Sequence, residues 1–209
     1  MTVRPALEPQ QSRSRQSAAR ILQAAIEVIT DVGIQDFTMA AVASRAAVSV
    51  GGVYGRYPDK DSLLYAVKDQ ALSDLADEIE RRLAETRPTP EAILRAYIGT
   101  LSRTLFGAER LYAFIFVHSA HDERLRSRGF AFHEQIRSVL VDSLRAQGVH
   151  DERAVATAYE VIVQSLLMRV ISLGHLAPGT VPYDGFPSPD EYADSLIDVT
   201  TRLLDDVRS

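Results

Sequence analysis

The segment between Gly33 and Pro58 constrains the fold most, because it contains two helix starts that lie close together. Thr38 and Ser49 are both good N-cap residues, since a hydroxyl oxygen accepts a hydrogen bond from a backbone N–H in the first turn. Apolar residues at helical spacing follow Thr38, and the second cap comes soon afterwards. The pattern predicts two short helices joined by a tight turn.

Longer helices are predicted on both sides of this segment. Ile21, Ala25 and Ile29 follow helical spacing up to Gly33, where a left-handed C-cap costs least. After Pro58, apolar residues at the same spacing continue to the break at TRPTP. Further helices are expected over 91–106, 109–120, 123–147, 152–173 and 190–207, without a convincing strand pattern. The chain is therefore predicted to be all-α.

Composition and charge narrow the function. Residues 1–60 hold seven basic and five acidic residues, a net charge of +2, whereas the rest of the chain carries −7. This split fits a small module facing a polyanion on an acidic body. The chain has no cysteine, which excludes disulfides and thiolate chemistry. It shows neither an export signal nor a long apolar run, so we expect a cytoplasmic protein.

Residues 20–67 closely resemble the DNA-binding region of the TetR family of transcriptional regulators. The resemblance depends on an ordered series of segments: ILQAAIEVITDVG, FT, VASRAAVS and GGVYGRYPDKDSLL. It implies an N-terminal three-helix, helix-turn-helix DNA-binding domain, joined by a long helix to a larger helical ligand-binding and dimerisation domain. We expect a flexible basic arm over 1–15, the DNA-binding domain over 16–60, and the ligand-binding and dimerisation domain over 61–209. The arm either touches DNA through Arg13 and Arg15 or is a disordered tail.

The resemblance also implies phosphate contacts. Thr38, Tyr54 and Lys60 match family positions that contact the DNA backbone. The alternatives are a cap alone for Thr38, a packed ring for Tyr54 and a solvated charge for Lys60. Arg56 matches a position that usually contacts phosphate, although a bidentate contact with guanine is the competing interpretation.

Two residues depart from the family pattern. The family often has glycine where this chain has Ala47, and a basic or polar residue where it has Val50. Val50 suggests an apolar contact with a thymine methyl group. Ser49, Tyr54 and Arg56 are then the side chains left to donate or accept hydrogen bonds near the groove, so base readout should be sparse.

Three glycines, Gly51, Gly52 and Gly55, weaken the second short helix. Glycine in a helix interior costs about 0.5–1 kcal/mol relative to alanine. One interpretation is that the missing Cβ atoms allow the helix backbone to approach the duplex closely. The other is that the glycines end a frayed helix.

The body of the chain holds apolar and aromatic residues at helical spacing. They either pack in the core or line a ligand cavity between helices. Gln164 and Arg169 interrupt an apolar run, and a buried amide or guanidinium needs a partner in a ligand, a neighbouring helix or another subunit. The candidate ligand-binding residues are Tyr97, Leu101, Tyr112, Phe116, Tyr159, Gln164 and Met168.

An enzyme or metal protein is the competing hypothesis. Common catalytic motifs are missing, and the one polar cluster is HSAHDE, which contains His118, His121 and Asp122. This cluster either binds a metal or is a helix end followed by Asp122 as the N-cap of the next helix. The second interpretation is preferred, and we expect neither a cofactor, a metal nor catalysis.

The expected protein is a ligand-responsive repressor. The resemblance implies a homodimer that binds a palindromic double-stranded DNA operator and is released by a small hydrophobic effector. The last two long helices resemble the family's dimerising pair. The predicted interface residues are Ala154, Ala158, Val161, Ser165, Leu196, Val199, Leu203 and Val207.

Overall fold

The computed structural model describes residues 8–117, 122–174, 176 and 183–205. Within these ranges the secondary structure is helical and contains no strand, which confirms the predicted all-α fold. The chain divides into two compact units, Met1–Gln70 and Ala71–Ser209, and the division falls within the fourth helix. In chain order the helices are α1 (Glu8–Val32), α2 (Met39–Arg45), α3 (Val50–Tyr54), α4 (Lys60–Ala84), α5 (Pro90–Gly107), α6 (Glu109–Val117), α7 (Glu123–Arg145), α8 (Glu152–Leu173) and α9 (Pro189–Asp205).

The first helix corrects one prediction and confirms another. α1 begins at Glu8, so residues 8–15, which were expected to belong to a flexible arm, are helical. Residues 10–20 contain Gln, Arg and Ala, which favour helices, and Pro9 lies in the first turn, where proline is tolerated. Residues 1–7 lie outside the described ranges. Gly33 has φ of +78° and donates to the Ile29 carbonyl oxygen at 2.8 Å, as a left-handed C-cap should.

The first unit has its own apolar core, to which each of its helices contributes. The fully buried side chains include Ile21 and Ile29 of α1, Val42 of α2, Val53 of α3, and Leu63 and Val67 of α4. Burying one such side chain stabilises the fold by about 1.5–3 kcal/mol. Helices as short as α2 and α3 are not stable in isolation, so their conformation depends on this core.

The second unit is organised around α5, which contacts α6, α7, α8 and α9. Two buried tyrosines tie this unit together through their hydroxyl groups. The Tyr97 hydroxyl donates to the Ile136 carbonyl oxygen at 3.1 Å, which links α5 to α7. The Tyr159 hydroxyl donates to the His133 carbonyl oxygen at 3.0 Å, which links α8 to α7.

By its length and its mean hydropathy of 1.5 alone, α8 would be able to cross a membrane. In the fold, α8 instead packs against α5, α6, α7 and α9, and Ala158, Tyr159 and Ile162 are completely buried. At its end, Gly174 allows a close approach to α6, because an added Cβ atom would collide with the Ala113 side chain. The apolar character of α8 is therefore that of a core helix.

Candidate nucleic-acid interface

The two predicted N-caps are both present. The Ala41 N–H donates to Thr38 Oγ1 at 3.1 Å, and the Gly52 N–H donates to Ser49 Oγ at 3.0 Å. Both capping residues have extended backbone angles, as expected just outside a helix. The caps confirm that α2 and α3 begin where the sequence predicts.

The turn between α2 and α3 contains an alanine in a conformation that favours glycine. Ala47 has φ of +53°, the only positive φ of a non-glycine residue in the described ranges. The Ala47 N–H donates to the Ser44 carbonyl oxygen at 3.2 Å, and the Val48 N–H donates to the Ala43 carbonyl oxygen at 3.0 Å. These two bonds form a Schellman motif, whose left-handed position is usually occupied by glycine. Ala47, which stands where the family often has glycine, is therefore a site of backbone strain.

The exposed face of α3 is small, apolar and uncharged. Val53 is completely buried and anchors the helix, whereas Val50 and Tyr54 are 42% and 49% exposed. Gly51 and Gly52 are also exposed. An α-helix that presents such a face fits into the major groove of DNA and brings few hydrogen-bonding groups to the base edges. Sparse base readout by this face stays a prediction.

The three glycines of this segment differ in how much room each would leave for a Cβ atom. A Cβ atom added to Gly55 would lie 3.3 Å from the Gly51 carbonyl oxygen, and one added to Gly52 would lie 3.3 Å from Ser49 Oγ, the capping atom. A Cβ atom on Gly51 would meet only Ser49 Oγ, at 4.0 Å. An added Cβ atom would thus be crowded at Gly52 and Gly55, whereas at Gly51 it would meet only an ordinary van der Waals contact.

Lys60 makes an internal contact that the sequence did not indicate. Its Nζ donates to the Phe37 carbonyl oxygen at 3.1 Å and lies 5.3 Å from the centre of the Phe37 ring. Phe37 immediately precedes the α2 cap, so Lys60 joins the start of α4 to the start of α2. Asp59 caps α4, and hydrogen bonds from the Ser62 side chain and backbone hold the pKa of Asp59 below its ordinary value. A phosphate contact by Lys60 stays a prediction.

Two arginines near α3 differ in their surroundings. Arg45, at the end of α2, pairs with Asp31 at 2.7 Å and Glu27 at 3.3 Å, both on α1. Its pKa is raised, first by the hydrogen bond with Asp31 and then by that with Glu27. Arg56 is exposed and makes no ion pair with another described residue. Of these two guanidinium groups, Arg56 is the one available to a phosphate.

The body residues predicted to bind a ligand do not share one environment. Tyr97, Leu101, Tyr112 and Tyr159 are buried, and Phe116 is half-buried. The rings of Tyr112 and Phe116 stack, with centroids 6.1 Å apart. Burial raises the pKa values of Tyr97, Tyr112 and Tyr159 well above the ordinary value, so their hydroxyls are neutral donors.

Gln164 and Met168 lie on the outer face of α8. Gln164 is exposed and donates to Glu160 Oε2 at 3.4 Å, while Met168 is 61% exposed. Their positions, four residues apart, place them on one side of the helix, away from the buried face formed by Tyr159 and Ile162. Within this chain neither residue faces the interior, and both stay candidates only for contacts at the surface.

The alternative metal cluster gains no structural support. His118 and His121 lie outside the described residues. Asp122 caps α7, since the Leu125 N–H donates to Asp122 Oδ1 at 2.8 Å, as the helix-end interpretation predicts. In the part of the chain that the structure describes, no three potential metal ligands come together.

Comparison with known sequences identifies the region that contains this interface. Residues 21–67 match the family model described as bacterial regulatory proteins, tetR family. The HTH-type transcriptional regulator BetI 1 of Chromohalobacter salexigens is 40% identical over 101 residues, which span 48% of each chain. The chain thus aligns with about half the length of that regulator. BetI of Burkholderia cenocepacia is 28% identical over 78% of this chain and 84% of its own length.

Solved structures extend the likeness to the whole fold. A TetR-family regulator from Mesorhizobium loti superposes with a TM-score of 0.73 over 92% of this chain and 97% of its own, at 18% identity. Thermus thermophilus FadR, a TetR-family repressor solved in complex with lauroyl-CoA, has a TM-score of 0.57 and 24% identity. It covers 90% of this chain and 92% of its own.

The capped helix pair, its turn and these likenesses together define a helix-turn-helix transcriptional regulator. More specifically, the family-model match over residues 21–67, the BetI relatives and the solved structures support a regulator of the TetR family.

Replacing Ala47 with Gly should stabilise the protein by about 0.5–1 kcal/mol, because the relief of left-handed strain exceeds the added chain entropy of glycine. The matched control is Ala46→Gly, since Ala46 has φ of −76° and is buried. Urea unfolding should show opposite signs for the two variants. Equal destabilisation by both would mean that Ala47 carries no strain.

Proposed function

We propose that the protein is a transcriptional repressor that binds a palindromic operator as a homodimer and dissociates when a small organic effector binds. The observation that carries this proposal is α3, a capped helix that exposes Val50, Gly51 and Tyr54. Such a helix can enter the major groove with its backbone close to the bases. Tyr54 and Arg56 would contact phosphates and Val50 a thymine methyl group.

The dimer is proposed on the outer face of α8 and α9. Gln164, Met168 and Ile171 follow each other on one exposed side of α8, and Val199 is exposed on α9. Exposed apolar side chains at such spacing on long helices are typical of helix-bundle interfaces. A dimer joined through these side chains would carry two α3 helices, one for each half-site of a palindrome.

Part of the interface predicted from sequence must be reassigned. Ala154, Ala158 and Leu196 are buried in the chain's own core, so they are unavailable to a second copy. Val199 is exposed, and Val207 lies outside the described residues. Val161, Ser165 and Leu203 are half-buried. Met168 and Ile171 replace the buried residues as the centre of the proposed interface.

Effector release is proposed through α4, since this helix begins in the first unit and continues into the second. A ligand that prefers one position of α4 would shift the separation of the two α3 helices. Lauroyl-CoA bound to the Thermus regulator supports a ligand site in a body of this fold. Repression of chromosomal genes also implies a protein that works in the cytoplasm.

Selection of binding sites from a random duplex library tests the proposed function. The recovered sequences should contain an inverted repeat whose half-site centres are about 34 Å apart on one face of the duplex. A Val50→Asp protein, which places a carboxylate on the exposed face of α3, is the control and should enrich nothing. An asymmetric single site, or no enrichment by the unmodified protein, would contradict the proposal.

Replacing Met168 with Asp should raise the dimer dissociation constant about tenfold or more, because association would desolvate a carboxylate. The matched control is Phe130→Asp on α7, since Phe130 is an apolar residue of similar exposure, 68%, on a helix outside the proposed interface. Sedimentation equilibrium measures both. The proposed interface would be wrong if the two variants dissociated equally, or if the unmodified chain were monomeric.

A further inference from the structure

Arg169 lies in a box of aromatic rings within the second unit. It is a residue of α8 and only 7% exposed. The guanidinium carbon lies 4.9 Å from the ring centre of Phe106, 4.4 Å from that of Phe186 and 5.0 Å from that of Tyr192. These rings come from α5, from the segment before α9 and from the first turn of α9. Cation–π attraction to three rings holds the guanidinium in place.

The hydrogen-bonding capacity of Arg169 is largely unused. Nη2 donates to the Pro187 carbonyl oxygen at 2.8 Å. Nε and Nη1 are buried, and neither has an acceptor among the residues that the structure describes. Buried donors, and charged ones above all, almost always have a partner, so this arrangement requires an explanation beyond packing.

The neighbouring polar groups do not supply that partner. Glu109, at the start of α6, interacts electrostatically with Arg169 but makes no ion pair with it within the described residues. Burial raises the pKa of Glu109, while the Arg169 charge lowers it. The Tyr192 hydroxyl donates to the Ser165 carbonyl oxygen at 3.1 Å, so its proton is already engaged. The Arg169 guanidinium stays protonated in a protein. None of the described carboxylates contacts it, so its positive charge has no countercharge in contact.

Sequence left three kinds of partner open for Arg169, and its position excludes one of them. The side chain points into its own chain, against α5 and α9, rather than outward beside Met168. A second subunit therefore does not reach it. Neighbouring helices supply rings and a single acceptor, which leaves a ligand for the two free donors.

We infer that Arg169 binds the carboxylate of a small organic acid through one of its two unpartnered donors, Nε or Nη1, beside Phe106, Phe186 and Tyr192. A guanidinium donates in its own plane, so an acceptor must approach in that plane, and a carboxylate there also supplies the missing countercharge. The apolar walls suit an acid with an aromatic or alkyl body. The sequence predicts a small hydrophobic effector, and Arg169 adds a carboxylate to that description. The inference rests on the proposed function only in treating the acid as the effector.

Matched pairs of acids and amides test the site on the full-length protein. Isothermal titration compares benzoate with benzamide and hexanoate with hexanamide, since each pair shares a body and differs in charge. At least one acid should bind about tenfold more tightly than its amide, a difference of ~1.4 kcal/mol. If neither acid is preferred, the inference is overturned.

Three variants assign the preference to Arg169. Arg169→Gln should lose the preference for the acid, and Arg169→Lys, which keeps a cation among the rings but lacks the planar edge, should weaken it. Arg103→Gln, an exposed arginine on α5, is the control for net charge and should keep it. A preference that persists in Arg169→Gln would overturn the inference. If neither Arg169 variant folds, the comparison of acids with amides on the unmodified protein decides.

Operator binding, measured separately by fluorescence anisotropy, keeps the two proposals apart. Acid binding without DNA binding would overturn the proposed function and leave the Arg169 site intact. DNA binding without any preference for acids would overturn the Arg169 site and leave the proposed DNA-binding function intact.

Discussion

The capping of α3 by Ser49 is the interaction on which the proposed interface depends. A helix of five residues with two internal glycines is not stable alone. The free-energy cost of nucleating it exceeds the stabilisation that so few hydrogen bonds provide. The Ser49 cap satisfies an N–H in its first turn, and Val53 anchors its inner face in the core of the first unit. The strained turn at Ala47 sets the direction in which the helix leaves α2. The outer face can then be small and apolar, because the inner face and the turn already hold the helix.

The helix caps were predictable from sequence because their hydrogen bonds are local. Thr38, Ser49, Asp122 and Gly33 each act within a few residues of their own position, so residue type and spacing sufficed. The contacts of Lys60 with Phe37 and of Arg45 with α1 are tertiary contacts between residues distant in sequence. A charged residue that could pair with any of several exposed groups gives no sequence signal of which one it contacts. The role of Lys60 in joining α4 to α2 therefore appears only in the structure.

In the body, periodicity predicted the helices but not which way each face points. The predicted bounds of α8 agree with the structure, yet Ala158 faces the core and Met168 faces outward. Both residues are apolar and lie on the same apolar helix, so hydrophobicity cannot separate them. Gln164 interrupts the apolar run because it lies on the outer face, whereas Arg169 interrupts it as a buried cation among rings. The same sequence signal thus had two opposite structural causes, which only packing distinguishes.

The central claim is that α3 approaches DNA through its backbone at Gly51, the glycine of this segment where an added Cβ atom would meet only an ordinary van der Waals contact. The most direct measurement is the affinity of Gly51→Ala for an operator recovered by selection, together with its free energy of unfolding. Gly107→Ala, where an added Cβ atom meets nothing within 4 Å, is the matched control. Alanine should stabilise the helix by about 0.5–1 kcal/mol in both variants. We expect Gly51→Ala alone to lose about tenfold or more in operator affinity, because the methyl group separates the helix from the groove. A Gly51→Ala protein that binds the operator as tightly as the unmodified chain would contradict the account.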